Sequence, residues 1–229
     1  MFDTIIASPM FGFVMSILFF EVGVAVQNKT KSTLANPLLI CAVLVMSCME
    51  IFGISYDEYY NGAQFIGLFL SPCTALLAVN IYKNMDTIKK YLMPILLGTA
   101  SAAAASMGCV YTLCRVLELD EEITLSLLPK SVTTAISMPL ATMTGGTASI
   151  LVAATIITGM FCAIVSPFLI KLFRFKNPVA AGIAIGASGH GVGTAAAIKI
   201  GPVQAATAGI AIGMSGIFTV LFYSFLFSV

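Results

Sequence analysis

Between Val179 and Ile198 the sequence is apolar almost throughout, and its middle reads Gly186-Ala-Ser-Gly-His-Gly-Val-Gly-Thr194. An apolar run of this length is long enough to cross a bilayer as a helix. Its centre nevertheless holds four glycines, two hydroxyl side chains and His190, the only histidine in the chain. Glycine at such density disfavours a continuous helix. In lipid, a broken helix is tolerated only where its freed backbone groups are buried in protein or line a wet cavity. The stretch is therefore expected to be a discontinuous membrane helix lining a site, with the rest of the chain as its scaffold.

Composition extends this reading to the whole chain. Of 229 residues, 59% are hydrophobic and 9% are charged, against roughly 25% charged in a soluble domain. Such a chain cannot cover a water-exposed surface, so an all-α polytopic membrane protein is expected. At about 20 residues per crossing, roughly seven to eight transmembrane segments use nearly all of it. A single membrane domain over 1–229 follows. A net charge of +1 without basic tracts gives no support for nucleic-acid binding. The six cysteines show no CxxC spacing and read as small packing residues. One histidine with scattered cysteines makes no zinc site, so no metal and no cofactor are expected. The first residues lack a basic region and a small-residue cleavage site, so the first segment is expected to stay as a membrane helix.

The segments fall at about 5–26, 34–54, 62–82, 91–117, 123–143, 147–172, 179–198 and 203–227. Basic links at 29–31, 83–90 and 171–176 belong on the cytoplasmic side. Three segments separate the second of these links from the third, and parity then requires that one does not cross. The fifth is the candidate, because Pro129-Lys130-Ser131, Pro139 and Gly145-Gly146 interrupt it. A re-entrant element there inverts the second half relative to the first. The broken stretches Ser71–Lys83 and Ser188–Lys199 each run into Ala-rich sequence and a lysine. Together these features predict an inverted repeat, 1–117 and 118–229, with discontinuous helices and a site near the midplane, as in secondary transporters.

Several side chains are candidates for that site. His190 is ionisable within a membrane segment and can relay a proton; it is equally able to pack as a neutral ring bonded to a carbonyl. Lys130 precedes Ser131, Thr133 and Thr134, and Ser131 is expected to cap a half-helix. A helix N-terminus with hydroxyls and a lysine has the form of an anion site; alternatively Lys130 snorkels to the interface. Ser71, Thr74 and Asn80 flank the break at Pro72 and either contact substrate or bond back to their own helix. Ser188 and Thr194 flank His190. Glu21 lies within the first segment, as a proton carrier or as an interfacial residue. The glycines around His190 superficially suggest nucleotide binding, but no strand–helix unit surrounds them. Ser188 and His190 have no carboxylate nearby for a hydrolytic triad, so no enzyme is expected.

Leu128-Pro-Lys-Ser-Val-Thr-Thr134 and Ser188-Gly-His-Gly-Val-Gly-Thr-Ala195 resemble the two signature regions of the LrgB/CidB family of bacterial membrane proteins. Gly67-Leu-Phe-Leu-Ser-Pro-Cys-Thr-Ala-Leu-Leu-Ala78 resembles a third. The chain departs from the usual pattern at Ala135, Ala196 and Asn80, where the family commonly has proline, arginine and proline. The resemblance implies a multi-pass protein of the bacterial cytoplasmic (inner) membrane with an antiporter-like fold. It also implies a smaller LrgA/CidA-type membrane protein as partner, and a homo-oligomer is expected. Two functions are implied: transport of small monocarboxylates such as pyruvate, glycolate or 3-hydroxypropionate, or a holin- or antiholin-like control of murein hydrolase activity and lysis. The polar breaks favour the first, a proton-coupled carrier. Lys130, Ser131, Thr133, Thr134, Ser188, His190, Thr194, Ser71, Thr74 and Asn80 are its expected substrate-binding set, and His190 and Glu21 its proton-coupling residues.

Overall fold

The computed structural model describes residues 6, 8–32, 35–69, 72, 75, 79, 82, 83 and 85–228. These residues form helices joined by short links, in two compact units, 1–72 and 73–229.

The first unit contains α1 (Phe11–Thr30), α2 (Pro37–Phe52) and α3 (Tyr56–Gly67). The Asn36 side chain accepts from the Leu38 amide at 2.9 Å and Pro37 opens α2, so the helix starts where its first amide is dispensable. Ser55 and Glu58 form a reciprocal capping box on α3. Small residues let α1 meet its neighbours. A Cβ on Gly62 would lie 2.7 Å from the Gly12 nitrogen, and one on Gly23 2.6 Å from the Pro37 carbonyl oxygen. Ser16 Oγ joins the Tyr59 hydroxyl at 2.8 Å across the α1–α3 contact.

The second unit contains α4 (Met85–Lys90), α5 (Leu92–Val116), α6 (Glu121–Leu127), α7 (Thr134–Met143), α8 (Ala148–Leu172), α9 (Pro178–Ile200) and α10 (Pro202–Phe227). α9 is the most enclosed of these helices. Gly182 and Gly186, one turn apart, lay it directly on α10: added Cβ atoms would sit 2.6 Å from the Gln204 oxygen and 2.7 Å from the Ala208 Cα. This is the small-residue contact that packs helices in lipid, where hydrophobicity alone does not drive association. Outward faces carry large apolar residues such as Phe161, Leu113 and Phe225, which suit a lipid surface.

Five helices, α1, α5, α8, α9 and α10, are long and apolar enough to cross a membrane. The seven or eight segments expected from the sequence are therefore not all matched. The second segment is the 16-residue α2; the third begins within α3, and nine of its residues, between 70 and 81, lie outside the described residues. The fifth is not one helix but two, α6 of 7 residues and α7 of 10, neither able to span alone. The seventh is broken as expected, although not by its glycines. Only His190 leaves helical geometry, at φ 38° and ψ −133°, whereas the neighbouring glycines stay helical, and Gly186, Gly189 and Gly193 serve close packing.

Candidate functional site

The fifth segment folds back on itself. Thr147, just beyond α7, donates its amide to Ser126 Oγ on α6 at 2.7 Å, and its hydroxyl donates to Glu122. Tyr223 of α10, fully buried, closes the same end: its hydroxyl donates to the Leu125 carbonyl at 3.3 Å and meets Thr144 Oγ1 at 2.6 Å. The segment thus leaves the C-terminal end of α5 and returns to it before α8 begins. That is the geometry of a re-entrant hairpin. A hairpin of this kind is compatible with residues 85–90 and 171–176 lying at one end of the unit, the arrangement that the parity argument expects.

The hairpin's tip is residues 128–133. Leu128 and Val132 are each 2% exposed and anchor it in the core, which turns the polar residues between them toward the flanking helices. Ser131 Oγ forms a short hydrogen bond to Ser106 Oγ, near the middle of α5. Lys130 Nζ donates to Thr158 Oγ1 at 3.3 Å, near the middle of α8. Ser131 is consequently not the cap of the half-helix. Thr133 holds that position, and its carbonyl accepts from Ile136 and Ser137 at 2.8 and 3.0 Å. The Thr133 hydroxyl is buried without a partner. The first amides of α7 have no carbonyl one turn earlier to bond, so this end of the helix carries donor capacity and partial positive charge.

His190 reaches α8 from α9. Its Nε2 lies 3.0 Å from the Thr155 carbonyl oxygen. A carbonyl only accepts, so Nε2 carries the proton in the neutral ring and Nδ1 is the acceptor nitrogen. Thr155 and Thr158 lie three residues apart and share a helix face. Lys130 and His190 therefore meet α8 on the same face, near mid-helix. Gly159 completes the seat: a Cβ there would lie 2.7 Å from His190 Cε1 and 3.1 Å from Nε2. Two more hydroxyls, on Thr155 and on Thr194 one turn past the break, are buried and unpartnered.

The structure thus assembles Lys130, Ser131, Thr133 and Thr134 at the hairpin tip, with His190 on the same face of α8 and Thr194 one turn past it. Ser188 is exposed and lies on a groove between α8 and α9, whose lining also includes Thr158. Glu21 is exposed on α1 in the other unit. Ser71, Thr74 and Asn80 lie outside the described residues. Thr155, Thr158 and Gly159 are inconspicuous in the sequence because the sixth segment looks like a plain apolar span. The signal was present: Thr155, Thr158, Gly159, Cys162 and Ser166 repeat at helical spacing through it.

Half-buried at mid-helix depth, Lys130 is paired with no carboxylate among the described residues. An ionised side chain in such a position is costly unless compensated. Among the described residues no group of three or more His, Cys, Asp or Glu side chains is arranged to hold a metal. The arrangement is suited to receiving a small anion between a lysine, a helix N-terminus and free hydroxyls, with an imidazole nearby to take up or release a proton.

Comparison with known proteins places this architecture in a family. The model of the LrgB-like family matches residues 16–229, and the chain belongs to that family. It is similar to the antiholin-like protein LrgB of Bacillus subtilis (strain 168), with 38% identity over 215 residues covering 93% of each chain. It is 33% identical to the antiholin-like proteins LrgB of Bacillus mycoides (strain KBAB4) and Bacillus cereus (strain B4264), over 93% of this chain and 94% of theirs. No solved structure matches.

Proposed function

We propose that this chain is a secondary transporter of small monocarboxylates, of the pyruvate, glycolate or 3-hydroxypropionate type, coupled to protons in the bacterial cytoplasmic membrane. The observation that carries the reading is Lys130 at the tip of a re-entrant hairpin, half-buried, facing Thr158 and lacking an anionic partner among the described residues. The carboxylate docks between Lys130 and the N-terminus of α7, where charge, amides and the Thr133 hydroxyl converge. His190 takes a proton on Nδ1 while Nε2 keeps its bond to the Thr155 carbonyl. The broken α9 and the hairpin are the elements that rearrange to expose the site alternately to each side. Ser188 and Thr194 flank the histidine; Ser71, Thr74, Asn80 and Glu21 remain proposed contributors from the first part of the chain. A smaller LrgA/CidA-type membrane protein and further copies of this chain are the proposed partners.

The names of the relatives favour a second reading, an antiholin-like protein, which we take as a regulator of murein hydrolase activity and lysis. The two readings differ in what the purified protein does alone. In sealed proteoliposomes, the carrier takes up labelled pyruvate, glycolate or 3-hydroxypropionate saturably, faster with an imposed pH gradient, and His190→Ala abolishes uptake while inserting normally. Absence of uptake for every acid, or leakage without saturation, supports the antiholin-like reading instead.

A further inference from the structure

The groove between α8 and the first half of α9 encloses 320 Å³. Its lining runs along α8 from Thr158 to Phe173 and Phe175, with Ala181, Ala184, Ile185 and Ser188 opposite. At 1.5 Å per residue, the wall from Phe161 to Phe173 is about 18 Å long, close to one leaflet of a hydrocarbon core of about 30 Å. The groove therefore extends from mid-depth to one end of the unit.

Along α8 the wall is apolar in effect even where its residues are polar; Ser188 of α9 is the polar lining residue left, at the inner end. Ser166 Oγ bonds back to the Cys162 carbonyl, Cys162 Sγ lies 3.2 Å from Ser166 Oγ, and Thr158 Oγ1 is taken by Lys130. These groups are satisfied within the protein, so the surface they leave suits a hydrocarbon chain rather than an ion. Phe161, Val165, Leu169 and Ile170 supply the rest.

The end of the groove is cationic. Lys171, Arg174 and Lys176 follow directly on its lining residues and are exposed. From Ile123 to Val229 the chain contains Lys and Arg but no Asp or Glu. Asp86, at the start of α4, is the one carboxylate of 73–229 that the hairpin topology places at this end, beside Lys83, Lys89 and Lys90. The three cations thus sit where a groove meant for an acyl chain meets the headgroup region, without carboxylates of their own segment to neutralise them.

We propose that this groove is a binding site for an anionic phospholipid, with one acyl chain along α8 and the phosphate on Lys171, Arg174 and Lys176. Basic pockets between membrane helices bind anionic headgroups in this way. The proposal does not rest on the transport reading, because its evidence is the shape of the groove and the charge at its outer end, although its inner end, at Thr158 and Ser188, adjoins the residues of that reading.

The test uses the full chain in mild detergent, with phosphatidylglycerol and phosphatidylcholine of identical chains added in turn, and bound lipid counted by native mass spectrometry. Each cation is expected to contribute about fivefold and the three together about a hundredfold in preference for phosphatidylglycerol. Lys171→Gln/Arg174→Gln/Lys176→Gln, all at exposed positions, should remove the preference. Ala184→Phe, also at an exposed position, should fill the groove and lose the lipid; Ala184→Leu is the milder variant if the first does not fold. Equal retention of both lipids by the unmodified chain overturns the site, as does a preference that survives the triple substitution. Unchanged lipid retention in a folded Ala184 variant overturns the acyl seat.

Discussion

Tyr223 and Thr144 share a hydrogen bond of 2.6 Å that fastens the base of the re-entrant hairpin to α10. The same tyrosine hydroxyl donates to the Leu125 carbonyl, so one buried group holds both arms of the hairpin at once. Tyr223→Phe keeps the ring's packing against Met107, Val110 and Leu140 and removes only the hydroxyl. A hydrogen bond of this kind contributes about 1 kcal/mol net. The expected result is a lower thermal midpoint in detergent, with faster hydrogen exchange at 121–147 than elsewhere. An unchanged midpoint and exchange pattern would show that the hairpin is held by its apolar anchors alone.

Gly159 and His190 make the tightest test of the site. A methyl group at 159 must displace the imidazole, because its carbon would lie 2.7 Å from His190 Cε1. Overpacking of this sort costs about 1–3 kcal/mol. Gly159→Ala should reduce carboxylate uptake as His190→Ala does, while the protein still inserts and elutes as the unmodified chain. Full uptake by Gly159→Ala would mean that the histidine's position on α8 is not used in transport.

Lys130 separates charge from shape. If a carboxylate binds it, Lys130→Gln should raise the concentration needed for half-maximal uptake by tenfold or more, corresponding to at least about 1.4 kcal/mol. Lys130→Arg keeps the charge but not the compact ammonium, and should retain part of the uptake. Equal uptake by the Lys130→Gln variant and the unmodified chain would place the anion elsewhere.

The sequence made the tip and the break legible for one reason: polar and conformationally unusual residues are rare in apolar segments, so each is visible. Lys130 with Pro129 and His190 among glycines stand out in this way. The parity of the basic links points to the same segment without any contact information. Thr155, Thr158 and Gly159 were less visible, because threonine and glycine are ordinary in membrane helices and only their shared face marks them. Which residue makes the break was hidden for a related reason. Glycine permits a break and equally permits close approach, and the sequence does not say which use each glycine has. In α9, Gly182 and Gly186 admit the backbone of α10, while the histidine itself takes the left-handed φ of 38°.

The hairpin also makes a topological prediction. Because the segment between α5 and α8 returns to the end it left, the chain before α5 and the chain after α8 lie on one side of the membrane. In a variant lacking the native cysteines, Lys90→Cys and Arg174→Cys should react with an impermeant thiol reagent from the same side. Asp120→Cys should react from the other. Labelling of Lys90→Cys and Arg174→Cys from opposite sides would show that 121–147 crosses completely.

Glu58 gives the first unit a pH dependence of known sign. Its carboxylate accepts from the Ser55 amide at 2.8 Å and from the Ser55 hydroxyl at 2.8 Å. These bonds, the backbone one foremost, hold its pKa below the ordinary glutamate value. A group whose folded pKa is depressed stabilises the fold above its unfolded pKa and loses that contribution as pH falls through the folded value. The start of α3 should therefore be protected at neutral pH and fray in acid. Amide exchange at 56–59, corrected for the intrinsic effect of pH, should accelerate relative to the rest of α3 as the pH drops below the ordinary carboxylate range. Glu58→Gln should show the acid-like exchange at neutral pH to the extent that charge strengthens the bond to the Ser55 amide. An exchange rate independent of pH in the unmodified chain would show that the capping box adds nothing to the stability of this helix end.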